Sequence, residues 1–270
     1  MLRLWAPSRW HYMLAALGFA VWILIAIVAP IFIACFDWAE IQRAWYAWQG
    51  FNVGMLALAA SIVAFGAAQL KEVRAAERNF IAELPFLPEQ LSALTEYCDG
   101  CFATLVSAWK RSKKNGSAST APLAPAPPEL PDKYREVLKE IIRFAPRDVS
   151  RYLAVLLAEL QIHNSRLRSL RKSFEDQSSI VVPLTVMDYI RALGVIQARI
   201  NHLFPYARRE TLEINVSGMT LQDLGAALRL GGVEISEIDG LQDYLPAAVE
   251  RANRKFLVDP EDVLGKASNA

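Results

Sequence analysis

Two cysteines three residues apart, a histidine set among leucines and four neighbouring carboxylates are the residues whose types and spacing bear on chemistry. Cys98 and Cys101 form a Cys-Asp-Gly-Cys pair. A redox pair of this spacing stands at a helix start, where the dipole lowers a thiol pKa. Here the pair falls in the middle of a helical pattern and on its apolar side. A zinc site needs two further ligands, and the later histidines, His163 and His202, have no short spacing to each other. The pair reads as buried thiols, with redox or metal chemistry as the alternative.

His163 lies in a seam with Leu156, Leu160 and Leu167 at helical steps. An imidazole changes charge near neutral pH and can report it. The plainer expectation is a hydrogen-bonded contact that fixes register, and the seam is the candidate interaction surface. His202 closes a helix before Pro205, where a cation is mildly favourable. Glu234, Glu237, Asp239 and Asp243 cluster without calcium-loop spacing or a complementary base, so they read as a solvated acidic face. The glycines at 225, 231, 232 and 240 match neither phosphate-loop nor dinucleotide pattern. No hydrolase, zincin or kinase signature is present. The expectation is a non-enzyme: no catalytic, cofactor or metal residue is assigned, and no small-molecule substrate is indicated.

The elements that must position these residues begin in a membrane. Residues 10–36 and 44–70 are two stretches of 27 residues without a charge. A helix crosses the bilayer core with about 20 apolar residues, so both qualify. A plain soluble enzyme, a disordered chain and a many-pass transporter are thereby excluded, since no comparable run follows Leu70. Arg3 and Arg9 precede the first run, only Arg43 lies between the runs, and Lys71, Arg74 and Arg78 follow the second. Positive flanks stay in the cytoplasm, which gives a two-pass hairpin with both ends inside, of bacterial inner-membrane type. Trp5, Trp10 and Tyr12, and Trp38, Trp45, Tyr46 and Trp48, suit interfacial belts; an external site built from the loop tryptophans is the alternative. Cys35, in a loose lipoprotein-like box beginning at Phe32, reads as a plain thiol, and Pro30 is placed to kink the first span. Ala60, Ala64 and Ala68, with Ala57 and Ser61 one row over, offer a face where helices approach closely.

After Leu70 the chain carries no net charge, with 26 basic and 26 acidic residues, which excludes a nucleic-acid binder. Its halves differ: residues 71–172 carry +5 and the remainder −5. The basic half can meet anionic headgroups, or both can be ordinary solvated surfaces.

The fold class expected is mainly α: a transmembrane hairpin, then a cytoplasmic helical domain with room for a small two-stranded appendage. In order, the expected parts are a flank over 1–11, a first span over 12–36, an external loop over 37–49 and a second span over 50–70. Membrane-proximal helices follow over 71–111, with a stripe from Leu91 through Leu94, Cys98, Cys101 and Leu105 to Trp109 weakened at Gly100. A flexible Pro/Ala/Ser linker occupies 112–131. A helical hairpin core covers 132–205, with Asp132 capping a short helix, Pro146 opening a longer one, and heptad-like stripes from Val149 to Phe174 and Val186 to Leu203. The mixed region 206–258 has short strands over 211–216 and 233–238, a helix capped by Thr220 and stopped by Gly231-Gly232, and a helix from Leu241 to Phe256; 259–270 is a tail.

The function this implies is a membrane-anchored helical interaction protein, an adaptor, assembly factor or regulatory subunit. Its partners are the lipid bilayer and another protein or its own copies. The alternative is a self-assembling membrane effector or pore former triggered by its cytoplasmic domain.

Overall fold

The computed structural model describes residues 37–114, 123–176, 181–211 and 218–257, with 213, 214, 216 and a few positions between 18 and 32. Fewer than half of the positions of the first expected span are among the described residues, and Pro30 and Cys35 lie outside them. A π-helical turn at Leu24–Val28 is its one described element. The chain divides into two compact units, Met1–Val73 and Arg74–Ala270. Among the described residues there is no strand.

Helix α1 runs over Trp38–Glu83. It starts where the Asp37 carboxylate accepts the Ala39 amide at 3.0 Å, the usual way of satisfying a first-turn donor. The stretch expected as a loop over 37–49 is therefore helical from Trp38 onward. Trp38 and Trp45 meet edge to face, with centroids 6.1 Å apart. In the apolar stretch the Ser61 hydroxyl donates to the Ala57 carbonyl at 2.8 Å, so it brings no unsatisfied donor into apolar surroundings. A single 3₁₀ turn, Leu84–Phe86, follows around Pro85.

The second unit is built from six helices among the described residues: α2 (Leu87–Lys114), α3 (Tyr134–Phe144), α4 (Arg147–Glu175), α5 (Pro183–Ala207), α6 (Leu221–Leu230) and α7 (Leu241–Leu257). Helix α5 is the centre. Every residue from 193 to 200 is buried, as expected of a helix covered on all sides. Helix α4 does pack on α5, yet α2 and α6 cover more of it. The two leucine-rich stripes thus belong to one shared core rather than to a self-contained hairpin. Gly194 lets α6 come close, because a Cβ there would lie 2.8 Å from Leu228 and 3.0 Å from Leu224.

The proline-rich segment is not a free spacer over its described part. Leu123 is buried, Ser107 donates to the Ala124 carbonyl at 2.6 Å, and Thr104 donates to Pro125 at 3.2 Å. Pro128 rests on Gly100, where a Cβ would come within 2.9 Å of its ring. Gly100 is a docking point for this segment, which its reading as a weak spot in the helix missed.

Boundaries differ from expectation where tertiary contacts override local signals. Asp132 does not cap α3, which begins after Lys133 without a side-chain cap. Pro146 stands just outside α4 as its N-cap. Helix α5 continues through Pro205 to Ala207. It ends when Arg209 enters the left-handed region at φ 61° and the Glu210 amide bonds back to the Pro205 carbonyl at 2.8 Å. Among the described residues the expected strands are absent for a simple reason. Ile214 is buried and Val216 packs on the core, so the alternation is real, but no partner strand pairs with it. In the second strand region, Ile235–Glu237 is a 3₁₀ turn.

Helix α6 is capped as expected. The Asp223 amide donates to the Thr220 hydroxyl at 3.2 Å and the Thr220 amide to the Asp223 carboxylate at 2.8 Å, a reciprocal capping box. At its end Gly232 takes the left-handed conformation, whereas Gly231 has φ −77°. Gly231 is required for space: a Cβ would fall 2.0 Å from the Phe102 ring. Gly231→Ala is expected to cost about 2 kcal/mol through overpacking. Urea unfolding of the full chain in mild detergent checks this, and Phe102→Leu in the same chain should recover part of the loss.

Candidate functional site

The residues singled out by sequence fall in separate places. Ala60, Ala64 and Ala68 lie exposed along α1. The small residues extend further than that row: Ala47, Gly50, Gly54, Ala57, Ser61, Ala64 and Ala68 recur at alternating steps of three and four, all exposed. A Cβ at Gly50 or Gly54 would meet nothing within 4 Å. Counting only every fourth residue misses this longer seam. Among the described residues, α1 opens the one helix long and apolar enough to cross a membrane, and no residue of its most apolar window is buried.

Cys98 and Cys101 are fully buried free thiols on the core face of α2. Burial pushes Cys98 up and takes Cys101 to about 12. Burial, followed by the neighbouring Cys101, also raises the Tyr97 hydroxyl. Thiols held protonated in this way are poor nucleophiles and poor metal ligands. No group of three or more His, Cys, Asp or Glu among the described residues is placed to hold a metal. In a Cys35→Ser background, a thiol reagent should modify Cys98 and Cys101 only at the rate of global unfolding. Rapid labelling of the folded chain would show that the core face of α2 opens locally.

Two carboxylates of the acidic cluster are engaged by lysines. Lys110 lies 3.7 Å from Glu237 and Lys113 pairs with Asp239. The basic run at the end of α2 and the acidic turn before α7 thus neutralise each other within one unit. His202 is likewise paired, its Nε2 3.3 Å from Asp223. Hydrogen bonds from Thr220 and the nearby His202 hold that carboxyl below its usual range, outweighing its partial desolvation.

Among the described residues, a concentrated polar arrangement in the interior joins α4, α5 and α7. Arg199, 1% exposed, donates to Glu159 at 2.8 Å and to the Ala252 carbonyl at 2.9 Å. Its guanidinium lies 4.7 Å from the Phe256 ring centre. Tyr152 donates to the Arg199 carbonyl at 3.2 Å and stacks on Phe256. Glu159 also accepts from Lys255 at 2.7 Å. Beside this network opens a cleft of about 210 Å³, lined from α4 by Glu159, Ile162, His163 and Arg166, from α5 by Asp188, Arg191 and their apolar neighbours, and from α7 by Arg251 and Lys255.

Of the seam residues, Leu156, Leu160 and Leu167 are ordinary core. His163 is different. It is 2% exposed, and neither ring nitrogen has a hydrogen-bond partner among the described residues. The expected register-fixing contact is absent. Burial first, then the adjacent Arg166 cation, holds the imidazole down to about 4. Sequence marked the residue, but the cleft it lines depends on three helices that no single stripe reveals.

This burial has a pH consequence. Below about pH 6.5 the unfolded chain protonates His163 while the folded chain does not, so stability falls with pH until about 4. The loss amounts to about 3 kcal/mol over that window. Glu159 and Arg166 from α4, Arg191 and Asp188 from α5, and Arg251 and Lys255 from α7 surround the site. His163→Leu should flatten the dependence, as read from urea midpoints of both chains between neutral and acid pH.

Compared with known proteins, the chain matches no family model, no curated protein and no solved structure.

Proposed function

We propose that the chain is a membrane-anchored helical interaction protein, an adaptor, assembly factor or regulatory subunit, with its second unit in the cytoplasm. The observation that carries the reading is the apolar and mostly exposed surface of α1 over the uncharged residues 44–70. Twenty-seven helical residues rise about 40 Å, more than the ~30 Å bilayer core needs. Water is a poor solvent for such a surface and lipid a good one. Lys71, Arg74 and Arg78 against the lone Arg43 support the cytoplasmic orientation.

A surface suited to a protein partner supports the adaptor role. Between α3 and α4 lies a recess of about 580 Å³ lined by Arg135, Arg168 and Lys172 with Gln161, Asn164 and Ser165, and by no carboxylate. Three cations without a counter-charge fit an acidic segment and speed its capture.

The second reading, a self-assembling membrane effector, is favoured by the small-residue seam of α1. Seams of this composition let helices pack backbone to backbone in lipid.

The deciding experiment purifies the full chain, tagged after Ala270, in mild detergent and measures the mass and composition of the particle. A stoichiometric second protein, lost when Arg168→Glu and Lys172→Glu are combined, supports the adaptor. A homo-oligomer alone, dispersed by Ala64→Leu with Ala68→Leu, overturns it in favour of self-assembly.

A further inference from the structure

Buried polar atoms are nearly always hydrogen-bonded, and the exceptions call for an explanation. His163 leaves two such atoms unmet in one ring, and it lines an open cleft rather than a sealed core. The cleft has a division of labour. Its buried lining residues, His163, Val195, Ile196, Ala248 and Ala252, form the floor, while Arg166, Arg191, Arg251 and Lys255 supply cations from three different helices.

The carboxylates in the lining are already engaged. Glu159 accepts from Arg199 and Lys255. Asp188 pairs with Arg191 and lies 3.9 Å from Arg166. Arg251 has no ion-pair partner among the described residues and stands at the rim. Four cations against two carboxylates leave the cleft with an excess of two positive charges.

We propose that this cleft binds a small tetrahedral oxyanion of the phosphate class, with His163 completing its hydrogen bonding. The shape of the cation set selects a tetrahedral ligand over a planar one. A carboxylate offers two oxygens in one plane, whereas phosphate offers oxygens toward α4, α5 and α7 at once, and guanidinium forks match it. The imidazole selects phosphate over sulfate. A neutral ring keeps one nitrogen as an acceptor, and hydrogen phosphate has a hydroxyl to donate to it, whereas sulfate at neutral pH has none. At about 210 Å³ the cleft is smaller than a site for a drug-sized ligand, which suits an inorganic anion or a compact phosphate headgroup.

The test is calorimetric titration of the full chain in mild detergent at neutral pH and constant ionic strength, with inorganic phosphate and then sulfate. Saturable phosphate binding is expected, weakened about tenfold in Arg251→Gln by loss of a charge-assisted bond. Sulfate is expected to bind more weakly than phosphate, and His163→Leu should abolish that preference. Arg135→Gln, outside the cleft, should change neither affinity. Repeating the titration with phosphatidic acid in the micelles separates the two sources of the same chemistry: competition assigns a lipid headgroup and its absence assigns free phosphate. Absence of saturable phosphate binding, or binding that Arg251→Gln leaves intact, would overturn the proposal and leave the cleft a site for water alone. Because Arg251 is exposed, that variant reports even if His163→Leu fails to fold.

Discussion

A charged guanidinium in the middle of the helical body constrains everything around it. Removing Arg199 from water is expensive unless the charge is paired and its donors are met. Helix α4 meets that demand with Glu159, α7 with the Ala252 carbonyl, and Tyr152 and Phe256 with their rings. These contacts reach α5 from two other helices, α4 and α7, so the three helices have one register in which the charge is satisfied. Apolar packing alone would tolerate small slides of these helices; the directional bonds at Arg199 do not. The cleft and the position of His163 follow from that fixed register, since both lie one to two turns along the same helices.

Much of the helical body was legible because its elements follow short-range rules. The stripes from Leu91 to Trp109 and from Val149 to Phe174 are buried as their spacing implies, and the Thr220 cap could be read from three neighbouring residues. The centrality of α5 was less visible. Its signal was the scarcity of polar residues all round the helix between 193 and 200, where only Gln197 and Arg199 break the apolar run, and a one-stripe reading overlooks it. Strands were read over 211–216 and 233–238 because alternation marks a half-buried segment of any kind. The cleft lay beyond reach, since its residues are spread from Glu159 to Lys255 and only packing brings them together.

The opposed charges of the two halves after Leu70 acquire a meaning in the fold. Part of the basic half meets part of the acidic half directly, through Lys110 with Glu237, Lys113 with Asp239, and Arg166 near Asp188. Such exposed pairs contribute little individually to stability. Their effect is on the surface field, which they weaken along the end of α2. Among the described residues, cations without an ion pair cluster at Arg135, Arg168 and Lys172, in the recess between α3 and α4, and Arg251 adds one at the cleft beside Arg199.

The position of α5 also sets a timetable for synthesis. Helix α2 is complete at Lys114, but α5, which covers much of its apolar face, begins only at Pro183. At ribosomal speeds, roughly 4–20 s pass before that cover has been made. During this interval Leu91, Leu94, Phe102 and Leu105 face water or whatever holds the nascent chain. The docked proline segment reaches α2 well before α5 does. It shields the Gly100 side of the helix while the rest waits, so a connector that looks like spacer acts as the first cover on an unfinished core.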